Sequence, residues 1–166
     1  MHGPELLRDF SVRGAARCAE AGVLEEWIHA YLRTGHWANL ALSDGLKLEE
    51  RFWVGPAEVR LDDVDQPCGP GSDKRFREPE EKWERKIAEL LGSISDVLDL
   101  PPLIVSSGNG TFRNPDGTVR FLVADGCHRL EALRRMGRER VHVLAWFETE
   151  AQRTEYLRER NLDPRD

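Results

Sequence analysis

Cysteine is scarce: Cys18, Cys68 and Cys127 are the only 3 in 166 residues. They are odd in number and far apart, and no Cys-x-x-Cys pair or Cys/His zinc spacing occurs. That pattern argues against a zinc site, and structural disulfides are not expected. Excess basic charge is lacking too, since 24 Lys and Arg face 30 Asp and Glu, giving a net charge of −6. Sequence-independent DNA binding draws on surplus cations, so no DNA partner is expected, although a local basic patch remains compatible. No apolar run approaches membrane-spanning length, so no membrane partner is expected either. The first residues, Met1-His2-Gly3-Pro4-Glu5, show no basic region followed by an apolar stretch, and a cytoplasmic location is the expectation. Internal repeats and low-complexity tracts are also missing. What is present, 40% hydrophobic and 33% charged residues, suits a soluble globular chain with one sizeable core.

Residues 5–33 read as helical, with Gly14 and Gly22 leaving one helix or two equally open. Residues 36–50 are less regular. This N-terminal third, 1–50, is read as a helical extension that either caps the core or forms a substrate-selecting wall. Residues 51–148 form the main domain, and 149–166 a final helix and tail. Within the domain a strand is expected around 57–61. A loop rich in Gly and Pro follows, from Gln66 to Arg75. A helix starts near Pro79, and Trp83, Ile87, Leu90, Leu91, Ile94 and Leu98 form its apolar stripe. Asp99 closes it, and Pro101-Pro102 forces an extended lead into a strand at about 102–106. Asn109-Gly110 and Asn114-Pro115-Asp116-Gly117 signal turns before a strand at about 118–124. A last strand covers 141–147 and a last helix about 149–160. The fold class is therefore α/β (α+β), with a small mixed sheet and helices.

One stretch carries the chemistry. Phe121 to Ala124 is an apolar strand, Asp125-Gly126 a turn, and Cys127 onward a helix in which Leu130, Leu133 and Met136 face a core and Gly137 ends the helix. A helix N-terminus attracts anions, and His128 and Arg129 are suited to phosphate oxygens. An acid beside a phosphate site binds Mg²⁺ or accepts a proton, which gives Asp125 a role. The plainer alternative has Asp125 capping the helix, Arg129 pairing with a surface acid and His128 packing. His2, His29, His36 and His142 show no metal spacing, and the tryptophans Trp37, Trp53, Trp83 and Trp146 are read as core.

The run Asp125-Gly126-Cys127-His128-Arg129-Leu130-Glu131-Ala132-Leu133-Arg134-Arg135-Met136-Gly137 resembles the signature of the ParB/sulfiredoxin superfamily. The likeness extends back through Leu100-Pro101-Pro102-Leu103-Ile104-Val105 and forward to Val141–Phe147, covering about residues 53–147. It implies a compact ParB/sulfiredoxin-like domain whose turn, Gly126 to Arg129, holds nucleotide phosphates. Asp-Gly-x-His-Arg is similar to the turn of the free serine kinase branch. By that resemblance Asp125, His128 and Arg129 are catalytic, and ATP or ADP with Mg²⁺ is the cofactor set. Asp125 would meet the metal or the acceptor, and a terminal phosphate would pass to a small hydroxyl-bearing molecule such as an amino acid or sugar. The branch's upstream base has several candidates here: Asp62, Asp63, Asp65, Asp73 and Glu78. Lys74, Arg75 and Arg77 could reach the phosphates or form a solvated cluster.

Two other branches give alternatives. Gly126-Cys127-His128-Arg129 is also the sulfiredoxin tetrapeptide, which implies ATP-dependent thiol chemistry through Cys127. A regulatory nucleotide-binding module without turnover is the other. A ParB partition clamp is not expected, because Cys127-His128-Arg129 stands where ParB proteins carry Glu-Arg-Arg. The choice among ATP, ADP and CTP, the acceptor and the oligomeric state stay open.

Overall fold

In a computed structural model, described for residues 4–35, 38–70 and 79–162, each central strand is apolar on both faces because both faces are covered. Two strands show this best: β3 (Leu103–Ser106) and β5 (Arg140–Phe147) run parallel, with Leu103 opposite Val143, Ile104 opposite Leu144 and Val105 opposite Ala145. Side chains alternate along a strand. Leu103, Val105, Val143 and Ala145 accordingly join one core, and Ile104 and Leu144 join another on the opposite face. A sheet buried on both sides reads as a continuous apolar run, which is why these segments show no polar alternation.

Five strands make the sheet in the order β1-β5-β3-β4-β2. The strand β1 (Phe52–Arg60) lies antiparallel to β5, with a register shift between Val54 and Ala57. It starts earlier than the expected 57, because Phe52, Trp53 and Val54 already pair with Phe147, Trp146 and Ala145. The short β2 (Val64–Asp65) runs parallel to β4 (Phe121–Asp125), which is antiparallel to β3. The sheet is thus mixed and the fold class α/β.

The first core is closed by α4 (Glu80–Ser93) through Trp83 and Ile87, by α5 (Cys127–Arg135) through Leu130 and Leu133, and by α6 (Glu150–Asn161) through Tyr156. Met136, expected in this core, is 40% exposed at the end of α5. The helix α4 also stops short of the expected Asp99. Asp96 instead accepts a bond from the Leu98 backbone N–H at 2.9 Å, starting a separate 3₁₀ turn at Val97–Asp99. An Asp capping a new turn competes with helix continuation.

The second core is closed by α1 (Val12–Glu20) and α2 (Leu24–Arg33), which settles the open question at Gly22 as two helices. Ser11 caps α1 by accepting from the Gly14 N–H at 3.1 Å. Trp27 stacks on Tyr31 with ring centroids 5.3 Å apart, and Phe10 meets both edge-on. A further helix, α3 (Leu40–Leu46), falls in the stretch expected to be irregular; its Asn39 cap accepts from the Leu42 N–H at 3.2 Å. The N-terminal helices are fastened to the domain. The Val12 N–H donates to the Leu100 carbonyl at 2.8 Å, and Arg13 pairs with Asp96 and Asp99. Among the described residues, no helix is long and apolar enough to cross a membrane.

Leu144→Ala should lower the unfolding free energy by about 2–5 kcal/mol, read from urea denaturation. Removing residues 1–50 uncovers Ile104 and Leu144 together, and the remainder should lose its cooperative transition. Stability should also fall in mild acid. Burial foremost, then Lys47 and Arg33, holds His29 below its ordinary 6.5, against Glu26. Burial, with Arg138 and against Glu58, does the same for His142. The folded state takes up these protons less readily than the unfolded chain. The stability they contribute is therefore complete above about pH 6.5 and is lost as pH drops below it through the folded values. Urea midpoints across that window should fall less in the His29→Gln/His142→Gln double variant.

Candidate functional site

Antiparallel pairing sets Asp125 opposite Ile104 at the carboxyl end of β4. The chain then reverses at Gly126, whose φ of 118° and ψ of 24° suit a residue without a side chain. Space demands glycine too: a Cβ here would stand 2.5 Å from Leu103 Cδ2 and 2.8 Å from Arg129 Nη2. No side chain caps α5 at this turn, and the first helical bond runs from the Leu130 N–H to the Gly126 carbonyl at 2.9 Å. The positive end of α5 thus opens beside Asp125.

Three consecutive side chains leave the turn in different directions. Arg129 turns inward and is 2% exposed, although it also lines the cleft beside the turn. Its Nη2 donates to Asp125 Oδ2 at 3.1 Å and to the Pro102 carbonyl at 3.3 Å, and its guanidinium lies 5.8 Å from the Tyr31 ring centre. Burial works against this charge, but Tyr31 and Asp125 more than offset it and raise the Arg129 pKa. Turned inward, the guanidinium meets the half-buried Asp125 carboxylate as its counter-charge.

Tyr31 completes the group. Its hydroxyl donates to the same Asp125 Oδ2 at 2.7 Å. Burial foremost raises the phenol pKa; Arg129 opposes and Asp125 assists. The phenol therefore stays a donor. Both bonds end on Oδ2, and Asp125 Oδ1 takes part in neither.

His128 lies against Trp83 of α4, with ring centroids 4.8 Å apart and the ring planes tilted by 39°. Cys127 is bonded to Cys68, their Cα atoms 6.3 Å apart, which corrects the expectation that disulfides are absent. Cysteine spacing could not show this pair, because the two residues are 59 positions apart and meet only when the 66–70 segment crosses the turn. Cys18 is free and buried.

A cleft of about 580 Å³ lies between the turn and α4, with Asp125, Gly126 and His128 on one side and Lys86, Glu89 and Ser93 on the other. Its volume falls within the range of small-molecule sites, roughly 300–1,000 Å³. Lys86, Glu89 and Tyr31 were missed by sequence reasoning. For Lys86 and Glu89 a signal existed, since α4's polar face was evident once its apolar stripe was drawn. For Tyr31 none did.

Of the proposed upstream acids, Asp62, Asp63 and Asp65 do not line this cleft. Asp62 lies in the 3₁₀ turn Leu61–Asp63, and Asp65 pairs with Arg120. Asp63 is buried, accepts from Asn114 Nδ2 at 2.9 Å, and lines a separate cavity of about 300 Å³ beside Phe121 and Tyr156. Asp73, Lys74, Arg75, Arg77 and Glu78 lie outside the described residues. No group of three or more His, Cys, Asp or Glu that could hold a metal occurs among the described residues. The donors still fit Mg²⁺ accompanying a nucleotide, because that ion needs only one or two carboxylates alongside phosphate oxygens and water. Glu89, which lines the cleft, would be such a carboxylate, and Asp125 would meet either the ion or the acceptor. No protein-family model matches the chain, and no curated protein is significantly similar to it.

Arg129→Leu should cost about 3–5 kcal/mol in urea denaturation, because Asp125 is left half-buried without its cation. Adding Asp125→Asn should recover part of that loss. Gly126→Ala should cost more than the roughly 1–2 kcal/mol of a left-handed alanine, since its Cβ also meets Leu103 and Arg129.

Proposed function

We propose that this chain is a nucleotide-dependent phosphotransferase of ParB/sulfiredoxin type that passes a terminal phosphate to a hydroxyl of a small molecule. The observation that carries the reading is the cleft, where a helix N-terminus, His128 and Lys86 surround a carboxylate with one oxygen left for chemistry. The resemblance of Asp125–Gly137 to the superfamily turn supports it.

In this reading the nucleotide phosphates lie at the start of α5, attracted by its dipole, with His128 and Lys86 as side-chain cations or donors. Asp125 Oδ1 orients the acceptor hydroxyl and takes its proton as the oxygen attacks the terminal phosphorus. A bond forms from the acceptor oxygen to phosphorus, and the bridging P–O bond to the nucleotide breaks. Mg²⁺ bound with the nucleotide would be held by Glu89 and would neutralise charge on the phosphates. Phosphoryl transfer rests mainly on such positioning and charge balance. Tyr31 and Arg129 serve it indirectly, by fixing the carboxylate through Oδ2.

One observation favours a second reading. With Arg129 turned inward, the cleft keeps fewer cations than the superfamily turn implies, which suits a regulatory module that binds a nucleotide without turnover. Phosphorus NMR separates the two. The protein would be mixed with Mg²⁺, with ATP, ADP or CTP in turn, and with a pool of amino acids, sugars and cyclitols. A new phosphomonoester signal is expected. Asp125→Asn, assayed below its own unfolding transition, should lower the transfer rate about 10²–10⁴-fold while nucleotide binding persists. Binding without turnover selects the regulatory module, and neither binding nor turnover rejects both.

A further inference from the structure

We propose that Cys68–Cys127 is a thiol–disulfide exchange site for a dithiol, and that its redox state sets the position of His128, which lines the cleft. The proposal rests on where the bond lies, and it holds whether or not the cleft takes a nucleotide. Cys127 is the first residue of α5, directly after the Gly126 turn. Its partner, Cys68, precedes Gly69, whose backbone runs so close to Trp83 that an added Cβ would lie 3.1 Å from the indole ring. Trp83 in turn packs against His128. Neighbouring residues 127 and 128 therefore grip the same segment twice, once by a covalent bond and once through the indole. Breaking the bond removes one of two fastenings beside His128, a residue that lines the cleft.

The two sulfurs differ in a way that favours exchange. Cys127 is 7% exposed, whereas Cys68 is half-buried and stands nearer to solvent. An external thiolate reaches Cys68 Sγ first. The leaving sulfur is then that of Cys127, at a helix N-terminus, where a thiolate is stabilised. Exchange is faster when the leaving thiol is the more acidic one. In the first step a partner thiolate bonds to Cys68 Sγ, the Cys68–Cys127 bond breaks, and its electron pair leaves on Cys127. In the second, the partner's other thiolate attacks the mixed disulfide and frees Cys68. The partner leaves as its own disulfide, two electrons oxidised, and the protein has gained two electrons and two protons. A partner already in its disulfide form runs the steps backward.

The test uses the full chain and dithiothreitol, with thiols counted by mass spectrometry after alkylation. Native protein should be reduced at a rate proportional to dithiothreitol and unchanged by urea below the unfolding transition. A rate that follows urea instead would show a structural bond released only by global unfolding, and would overturn the proposal. With glutathione and a rapid iodoacetamide quench, peptide mapping should place the adduct on Cys68, and an adduct on Cys127 would reverse the assigned order. On reduction, the His128 ring signals in carbon–proton NMR should shift while those of His29, on α2, stay in place. An unmoved His128 would sink the link to the cleft. The Cys68→Ser/Cys127→Ser variant should fold and show His128 at its reduced-state position; failure to fold would mark the bond as a staple. A thioredoxin-type protein dithiol acting faster than dithiothreitol at equal concentration would identify a protein partner, and equal rates a small-molecule thiol.

Discussion

A charged guanidinium removed from water is costly unless its partners are already in place, and Arg129 is such a group. Asp125 supplies the counter-charge, the Pro102 carbonyl accepts a further bond, and the Tyr31 ring and hydroxyl complete the shell. Arg129 and these partners come from four separate parts of the chain: α5, β4, the Pro101-Pro102 lead into β3, and α2. Satisfying one charge therefore fixes how all four meet. The contrast with Arg13 is instructive, because its pairs with Asp96 and Asp99 are largely solvent-exposed and such pairs contribute little. The N-terminal helices are bound to the sheet partly through Ile104 and Leu144, and partly through the Tyr31 hydroxyl at this buried pair.

The same arrangement fixes the Asp125 carboxylate. A carboxylate held by two donors on one oxygen cannot rotate freely, so its other oxygen keeps a fixed direction. Sites work when the reacting group is held by a supporting shell, and here that shell is Tyr31 and Arg129. Burial keeps Tyr31 protonated, so this support does not change across the neutral range. Gly126 is the backbone counterpart of that rigidity, since no side chain can be added without pushing on Leu103 or Arg129.

Local patterns made much of this legible before any coordinates. Apolar runs marked β3, β4 and β5, the Asp125-Gly126 pair marked the turn, and the Trp83–Ile87–Leu90 spacing marked α4. Each signal arises within a few residues, at the period of the element itself. What stayed hidden joins distant residues. Tyr31 and Asp125 are 94 positions apart, Cys68 and Cys127 59, and nothing in their neighbourhoods announces the partner. The helix α3 was hidden for another reason: at 7 residues it spans barely two turns, too short for a period to show. The end of α4 was misjudged because Leu98 continues the apolar spacing while Asp96 breaks the backbone.

The direction of Arg129 has a simple origin that a motif does not display. Successive residues of a helix project about 100° apart, so three in a row cannot all face one anion. Cys127 points to Cys68, His128 to Trp83, and Arg129 into the protein toward Asp125. Read as letters, Cys-His-Arg looks like one cluster; folded, it is three anchors around one turn. In the proposed reading, an anion at this place would meet the helix dipole, His128, and Lys86 across the cleft. The conspicuous arginine of the turn acts through the geometry it imposes on Asp125.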